Sequence, residues 1–268
     1  MNILNLVEVD FGAFIFDELC RNCGALVETD FYRGSSIGAL QTWKQKLDEN
    51  FYAQELSPYK TVCFMCSDSK GMQTEDESSL AVEETDGVRF QVYAASIYQG
   101  LSQKLIRKIK YDGDRLIAQD LGLLIYKAIE RSFAETELGK SFMAGVCQFS
   151  PVIIPVPLHK KRLRKRGYNQ SHEIAKALAQ LLPFKPEIKT DLLERIADTR
   201  PQFDLDFLER HSNVINAFRS RKCLDPEKHY VILDDVFTTG TTIKECVKIL
   251  TKSGAIKVSA LLVSRAVL

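Results

Sequence analysis

At 268 residues the chain has room for one large domain, or for a small module joined to a medium one. Its 36 basic and 35 acidic side chains leave a net charge of +1, which excludes a protein whose whole surface serves a polyelectrolyte partner. With an ordinary apolar share of 45%, no apolar run long enough to cross a bilayer and no basic leader before an apolar segment, cytoplasmic residence without membrane insertion is expected.

The first chemistry in chain order is carried by cysteines. Cys20-Arg21-Asn22-Cys23 and Cys63-Phe64-Met65-Cys66 are two Cys-x-x-Cys pairs, and four thiolates suffice for a closed tetrahedral zinc site. The 39 residues between the pairs (24 to 62) exceed the usual ribbon interval, so a helix or loop around Gln41, Trp43 and Leu47 must be inserted. Reduced, packed cysteines and a redox pair are the alternatives. Cys147, Cys223 and Cys246 have no paired spacing and read as structural. A turn at Ser67 to Gly71 and an acidic stretch from Glu75 to Asp86 then read as a linker or an exposed edge. The expected division is a zinc-binding module over residues 1–70, an acidic linker over 71–87 and a larger domain over 88–268.

That larger domain alternates strands and helices. Val88, Phe90, Val92 and Ala94 mark a strand over Val88 to Tyr98, and helical spacing follows over Ser102 to Lys110 and Arg115 to Ser132. Val152 to Val156 is a strand. A strongly basic loop follows it, His159-Lys160-Lys161-Arg162-Leu163-Arg164-Lys165-Arg166. Gln170 to Leu182 puts Ile174, Ala175, Leu178 and Leu181 on one helical face, and Ile256 to Ser264 closes the domain as a strand. The alternation predicts an α/β fold with a mainly parallel sheet flanked by helices. His172, His211 and His229 lack ligand-type spacing and read as surface or packing residues.

The densest signal is Val231-Ile232-Leu233-Asp234-Asp235-Val236-Phe237-Thr238-Thr239-Gly240-Thr241-Thr242. Val231 to Leu233 suit a buried parallel strand, whose carboxyl end is where open α/β sheets bind ligands. Ionised Asp234 and Asp235 only accept hydrogen bonds, which matches neighbouring ribose hydroxyls. The N–H groups of Thr238 to Thr242 open the helix of Ile243, Val247, Ile249 and Leu250, where free donors and the dipole favour an anion. Gly240 permits a backbone angle that other residues avoid, and the threonine hydroxyls add donors. An Asp turn with Thr caps is the plainer alternative. The order of all twelve residues favours a sugar-phosphate site.

This segment resembles the 5-phosphoribosyl diphosphate (PRPP) loop of type I phosphoribosyltransferases. Ile153-Ile154-Pro155-Val156-Pro157-Leu158 followed by Arg164-Lys165-Arg166-Gly167-Tyr168-Asn169-Gln170 resembles the signature of the ComF competence-protein family. So do Lys108-Ile109-Lys110-Tyr111-Asp112-Gly113 upstream and Arg195, Thr199, Gln202, Arg210, Asn213 and Phe218 downstream, in the family's order. The resemblance implies a type I phosphoribosyltransferase fold preceded by a four-cysteine zinc module with structural Zn²⁺. It implies binding of PRPP with Mg²⁺, Asp234 and Asp235 holding the ribose diol and Thr238 to Thr242 the 5′-phosphate. It places His159, Lys160, Lys161, Arg162, Arg164 and Arg166 at the pyrophosphate, although a nucleic-acid backbone contact and a solvated loop are rival uses of that basic run. Arg195, Thr199, Gln202 and Arg210 would belong to a lid that closes over PRPP and excludes water. Nothing selects a base, so the acceptor stays open. By resemblance the chain acts in natural transformation, in the handling of incoming single-stranded DNA (ssDNA) with a helicase-like partner. The alternative is a non-catalytic PRPP- or nucleotide-sensing module, or one that binds ssDNA or protein with the same fold.

Overall fold

The computed structural model describes residues 80–135, 151–182, 184–197, 216–220 and 222–266, with side chains up to residue 129 in the first of these stretches. All of them fall within the unit Ser69–Leu268. The cysteine pairs, the turn at 67–71, Cys147, His211, Asn213 and the lid residues Thr199, Gln202 and Arg210 lie outside the described residues.

Six strands form one sheet. β1 (Leu80–Thr85) and β2 (Val88–Ile97) make an antiparallel hairpin in which Leu80 faces Tyr93 and Thr85 faces Val88. β3 (Val152–Pro155), β4 (Glu187–Ile188), β7 (His229–Phe237) and β8 (Lys257–Arg265) complete it in the order β1-β2-β8-β7-β3-β4, parallel from β2 onward. β5 (Glu194–Arg195) and β6 (Phe218–Arg219) form a separate two-stranded antiparallel ladder. The mainly parallel sheet expected from the alternation is therefore present.

Helices cover both faces, as a parallel sheet requires. The helices α1 (Gly100–Tyr111), α2 (Ile117–Glu135) and α4 (Gln170–Leu181) bury Leu105, Ile106, Ile109, Ile117, Leu121, Leu124, Ile125, Ile174 and Leu178 completely. A Cβ on Gly122 would meet Ala177 Cβ at 2.8 Å and the Leu178 nitrogen at 2.9 Å, so glycine lets α2 and α4 touch backbone to backbone. Ile243, Cys246, Val247 and Leu250 of α5 (Thr241–Lys252) pack in one core with Val92, Ile154, Ile232, Phe237, Ala260 and Leu262.

Three segments depart from the sequence reading. Of the two readings of the acidic stretch, residues 80–85 take the second and form an edge strand. Its outward charges suit an edge, and Glu83 is tied to Lys244 at 3.0 Å and Arg265 at 3.2 Å. The basic run, expected as a loop, is the short helix α3 (Lys160–Arg166). Without an apolar stripe it gives no helical signal. His159 caps its start by accepting from the Lys161 N–H, and Gly167, at φ +80°, ends it by donating to the Leu163 carbonyl. β7 also runs on through both aspartates to Phe237 rather than ending before them.

Candidate functional site

The direction of the crossovers locates the site. From β3 the chain passes through α3 and α4 to β4, on the side of β3 away from β7. From β7 it passes through α5 to β8, on the side away from β3. The two connections diverge and open a crevice outside the carboxyl ends of β3 and β7, the switch point at which open α/β sheets bind ligands. Asp234, Asp235, the Thr238–Thr242 turn, His159 and α3 all lie along that edge.

Strand alternation divides the two carboxylates between the faces of the sheet. Asp235 shares the face of α1 and α4, and its side chain is only 5% exposed. Its Oδ1 accepts from Lys110 Nζ at 2.6 Å and its Oδ2 from Gln170 Nε2 at 2.9 Å. Arg166 donates in turn to Gln170 Oε1, tying α3 to the same network. Asp234 has the parity of Ile232 and lies toward the α5 core. Its Oδ1 accepts from Ser171 Oγ and from the Asp235 N–H, both at 2.9 Å, and its Oδ2 has no hydrogen-bond partner among the described residues. The two aspartates, both expected at a diol, thus differ: Asp235 has a protein partner on each oxygen, and Asp234 on one oxygen only among the described residues.

The electrostatics follow from this arrangement. Burial, together with the Asp235 charge, pushes the Asp234 carboxyl up to about 7, against the pull of Lys110 and its hydrogen bonds. Burial works against the Lys110 ammonium, but Asp235 beside it and Asp234 beyond hold it above its ordinary value. Burial also raises the Tyr98 phenol, which faces Lys110 and Asp235 where β2 leads into α1. Cys246, beneath Asp234 in α5, is pushed up by burial and by that carboxylate, so it is an inert core thiol, whereas Cys223 is exposed.

A glycine turn joins β7 to α5. Gly240 adopts φ +74° and precedes α5, whose first turn carries no acidic residue and no side-chain cap bond. The turn therefore leads into the positive end of the α5 dipole. Thr239 and Thr241 share a hydroxyl–hydroxyl hydrogen bond of 2.8 Å, which orders the turn. Thr238 and Thr242 flank them, both half-buried.

The basic residues separate into two groups. Lys160, 74% exposed, reaches Glu194 at 3.6 Å, while Lys161, Arg164 and Lys165 are exposed and His159, Arg162 and Arg166 half-buried. Arg195, expected in a lid, lies in β5, 8% exposed, with its guanidinium carbon 5.2 Å from the centre of the Phe218 ring.

Sequence reasoning gave no role to Lys110, Gln170, Ser171 or Tyr98. Lys110 was visible only as part of a motif, and Gln170 and Ser171 as the opening of a helix capped by Asn169, whose Oδ1 accepts from the Ser171 N–H at 3.0 Å. Among the described residues no group of three or more His, Cys, Asp or Glu is arranged to hold a metal, and no helix is long and apolar enough to cross a membrane.

No family model matches the chain. Competence protein F of Haemophilus influenzae is 30% identical to it over 152 residues, which is 56% of this chain and 62% of that protein. The DNA utilization protein YhgH of Salmonella typhimurium is 31% identical over 151 residues, 56% of this chain and 61% of that one. YhgH of Salmonella typhi reaches 37% over 103 residues, 38% of this chain and 44% of that one. The aligned part thus spans less than two thirds of these curated relatives. Over a little more than half of its length, then, the chain is similar to proteins named for competence and for DNA utilization.

Proposed function

We propose that this chain binds PRPP with Mg²⁺ and transfers the phosphoribosyl group to an acceptor still to be identified, in the service of natural transformation. The observation that carries the reading is the meeting, at one switch point, of a carboxylate with a free oxygen, a glycine turn at a helix N-terminus without acidic residues and a basic helix. A sugar bearing a diol and phosphates at both ends matches those three parts.

The residues present fit a magnesium-bearing ligand. Asp234 accepts from a ribose hydroxyl, the Thr238–Thr242 turn holds the 5′-phosphate, and His159 with Lys160, Lys161, Arg162, Arg164 and Arg166 faces the pyrophosphate. Mg²⁺ would be held by pyrophosphate oxygens and a ribose hydroxyl that Asp234 orients, and when bound it neutralises charge on the leaving group. The bond from the anomeric carbon to pyrophosphate breaks with its electron pair on pyrophosphate. The carbon gains cationic character beside Asp234, and a nitrogen of the acceptor forms the new bond and gives up its proton to solvent. Thr199, Gln202 and Arg210 remain the proposed lid, with Arg195 at its base.

Calorimetric titration of Mg²⁺ and PRPP tests this directly. The wild type is expected to bind, and Asp234→Ala to lose affinity by at least about tenfold, since it removes the free acceptor. Absence of binding by the wild type, or unchanged binding by the variant, overturns the reading.

The place in transformation rests on the names of the relatives and predicts that a competent host loses transformation when the gene is deleted; normal transformation would refute it. A second reading, a non-catalytic module that contacts ssDNA, is favoured by α3, where Arg164 and Lys165 have no ion pair among the described residues. Restoration of transformation by Asp234→Ala would select that module over the transferase.

For Cys20, Cys23, Cys63 and Cys66 the proposal remains a structural zinc site. Metal analysis of the full chain should find about one zinc per molecule, lost with stability in chelator. Finding no zinc, and unchanged stability in chelator, would reject it.

A further inference from the structure

Lys110 stands in the last turn of α1, 125 residues from the carboxylate it holds. Its ammonium lies 2.6 Å from Asp235 Oδ1, its side chain is 22% exposed, and Asp235 is otherwise occupied by Gln170. Two aspartates adjacent in sequence and partly withdrawn from water repel each other, and a cation paired with one of them eases that repulsion. We propose that Lys110 is a positioning residue of the ribose site: by fixing and neutralising Asp235 on the buried face, it leaves Asp234 as the carboxylate that meets the ligand, in ionised form.

The proposal rests on the phosphoribosyl reading for its ligand but on the ion-pair geometry for its mechanism. The charged and titratable groups around the pair are Tyr98 and Arg107 on the side of β2 and α1, and Arg166, through Gln170, on the side of α3 and α4. Cys246 and Glu245 of α5 and Arg195 of β5 lie on the Asp234 side. Of the other cations, Arg166 donates to Gln170 and Arg195 packs on Phe218. Burial and the Asp235 charge push the Asp234 carboxyl up, and Lys110 pulls against them.

Two measurements on the full chain test it across about pH 5 to 9. One follows the Asp234 carboxyl carbon by NMR without ligand, and the other titrates Mg²⁺ and PRPP by calorimetry. Lys110→Met should move the Asp234 midpoint up by about one unit or more and weaken binding about tenfold at neutral pH. Lys110→Arg keeps the charge and should stay near wild type. Lys110→Met/Asp235→Asn removes both charges together, so the midpoint should return to or below that of the wild type, and binding should recover.

A purely structural lysine would lower stability without moving the midpoint, and one that touches the ligand would lose affinity in the double variant too. Either result overturns the proposal. If Lys110→Met fails to fold, the double variant, with no lone buried charge, carries the test. If the wild type binds no PRPP, the phosphoribosyl reading fails, while the NMR midpoints still decide the role of Lys110.

Discussion

Asp235→Ala is expected to lower the free energy of unfolding by about 2–4 kcal/mol. Removing one partner of a fully buried pair costs about 3–5 kcal/mol, because the remaining charge is left unsolvated. Lys110, 22% exposed, recovers part of its hydration and brings the figure down. Gln170 also loses its acceptor, and with it the anchor that joins Arg166 to the start of α4. Against a typical domain stability of about 5–15 kcal/mol this is a large fraction, so the urea midpoint should fall well below that of the wild type. A loss under about 1 kcal/mol would show that water reaches the pair freely, as at a surface salt bridge.

Gly240→Ala should cost about 2–4 kcal/mol and also weaken PRPP binding by at least about tenfold. The position has φ +74°, which an L side chain adopts at a penalty of about 1 kcal/mol. The added Cβ would stand 2.4 Å from Phe237 Cζ, closer than any tolerated contact. That ring cannot readily give way: Phe237 is buried in the α5 core, and the Arg265 guanidinium, itself tied to Glu83, lies over it at 5.0 Å. The turn must therefore move, carrying with it the N–H groups proposed to hold the 5′-phosphate. Thr239→Ala removes one hydroxyl hydrogen bond without moving the backbone and should cost only about 0.5–1.5 kcal/mol. Thermal unfolding and calorimetry on both variants separate the two effects. Equal losses would mean that the glycine conformation is not what shapes the turn.

Much of the fold was legible because long elements carry their own periodicity. Helices α1, α2, α4 and α5 were each readable from apolar residues recurring on one face, and β2, β3 and β8 from short branched runs, with ends displaced by up to three residues. The two-residue strands β4, β5 and β6 were not readable, since two residues cannot display a period. Helix α3 was missed because its seven residues hold one apolar side chain, so only its capping residues marked it as helical. Arg195 was expected in a lid from the family resemblance, whereas its burial against Phe218 depends on a strand pairing from beyond residue 215.

In the candidate site, the sequence by itself determined the local devices: a strand end with two carboxylates, a glycine at a left-handed position and a helix opening without an acidic residue. These depend on bond geometry and on near neighbours, which a dozen residues contain. Only the tertiary structure decided that the aspartates differ. That outcome required strand order to bring α1 and α4 onto one face of β7, so that a lysine 125 residues away and a glutamine 65 residues away could occupy Asp235 while Asp234 kept a free oxygen. Alternation along a strand assigns neighbours to opposite faces, and what waits on each face is set by long-range packing, which leaves no periodic trace in the chain.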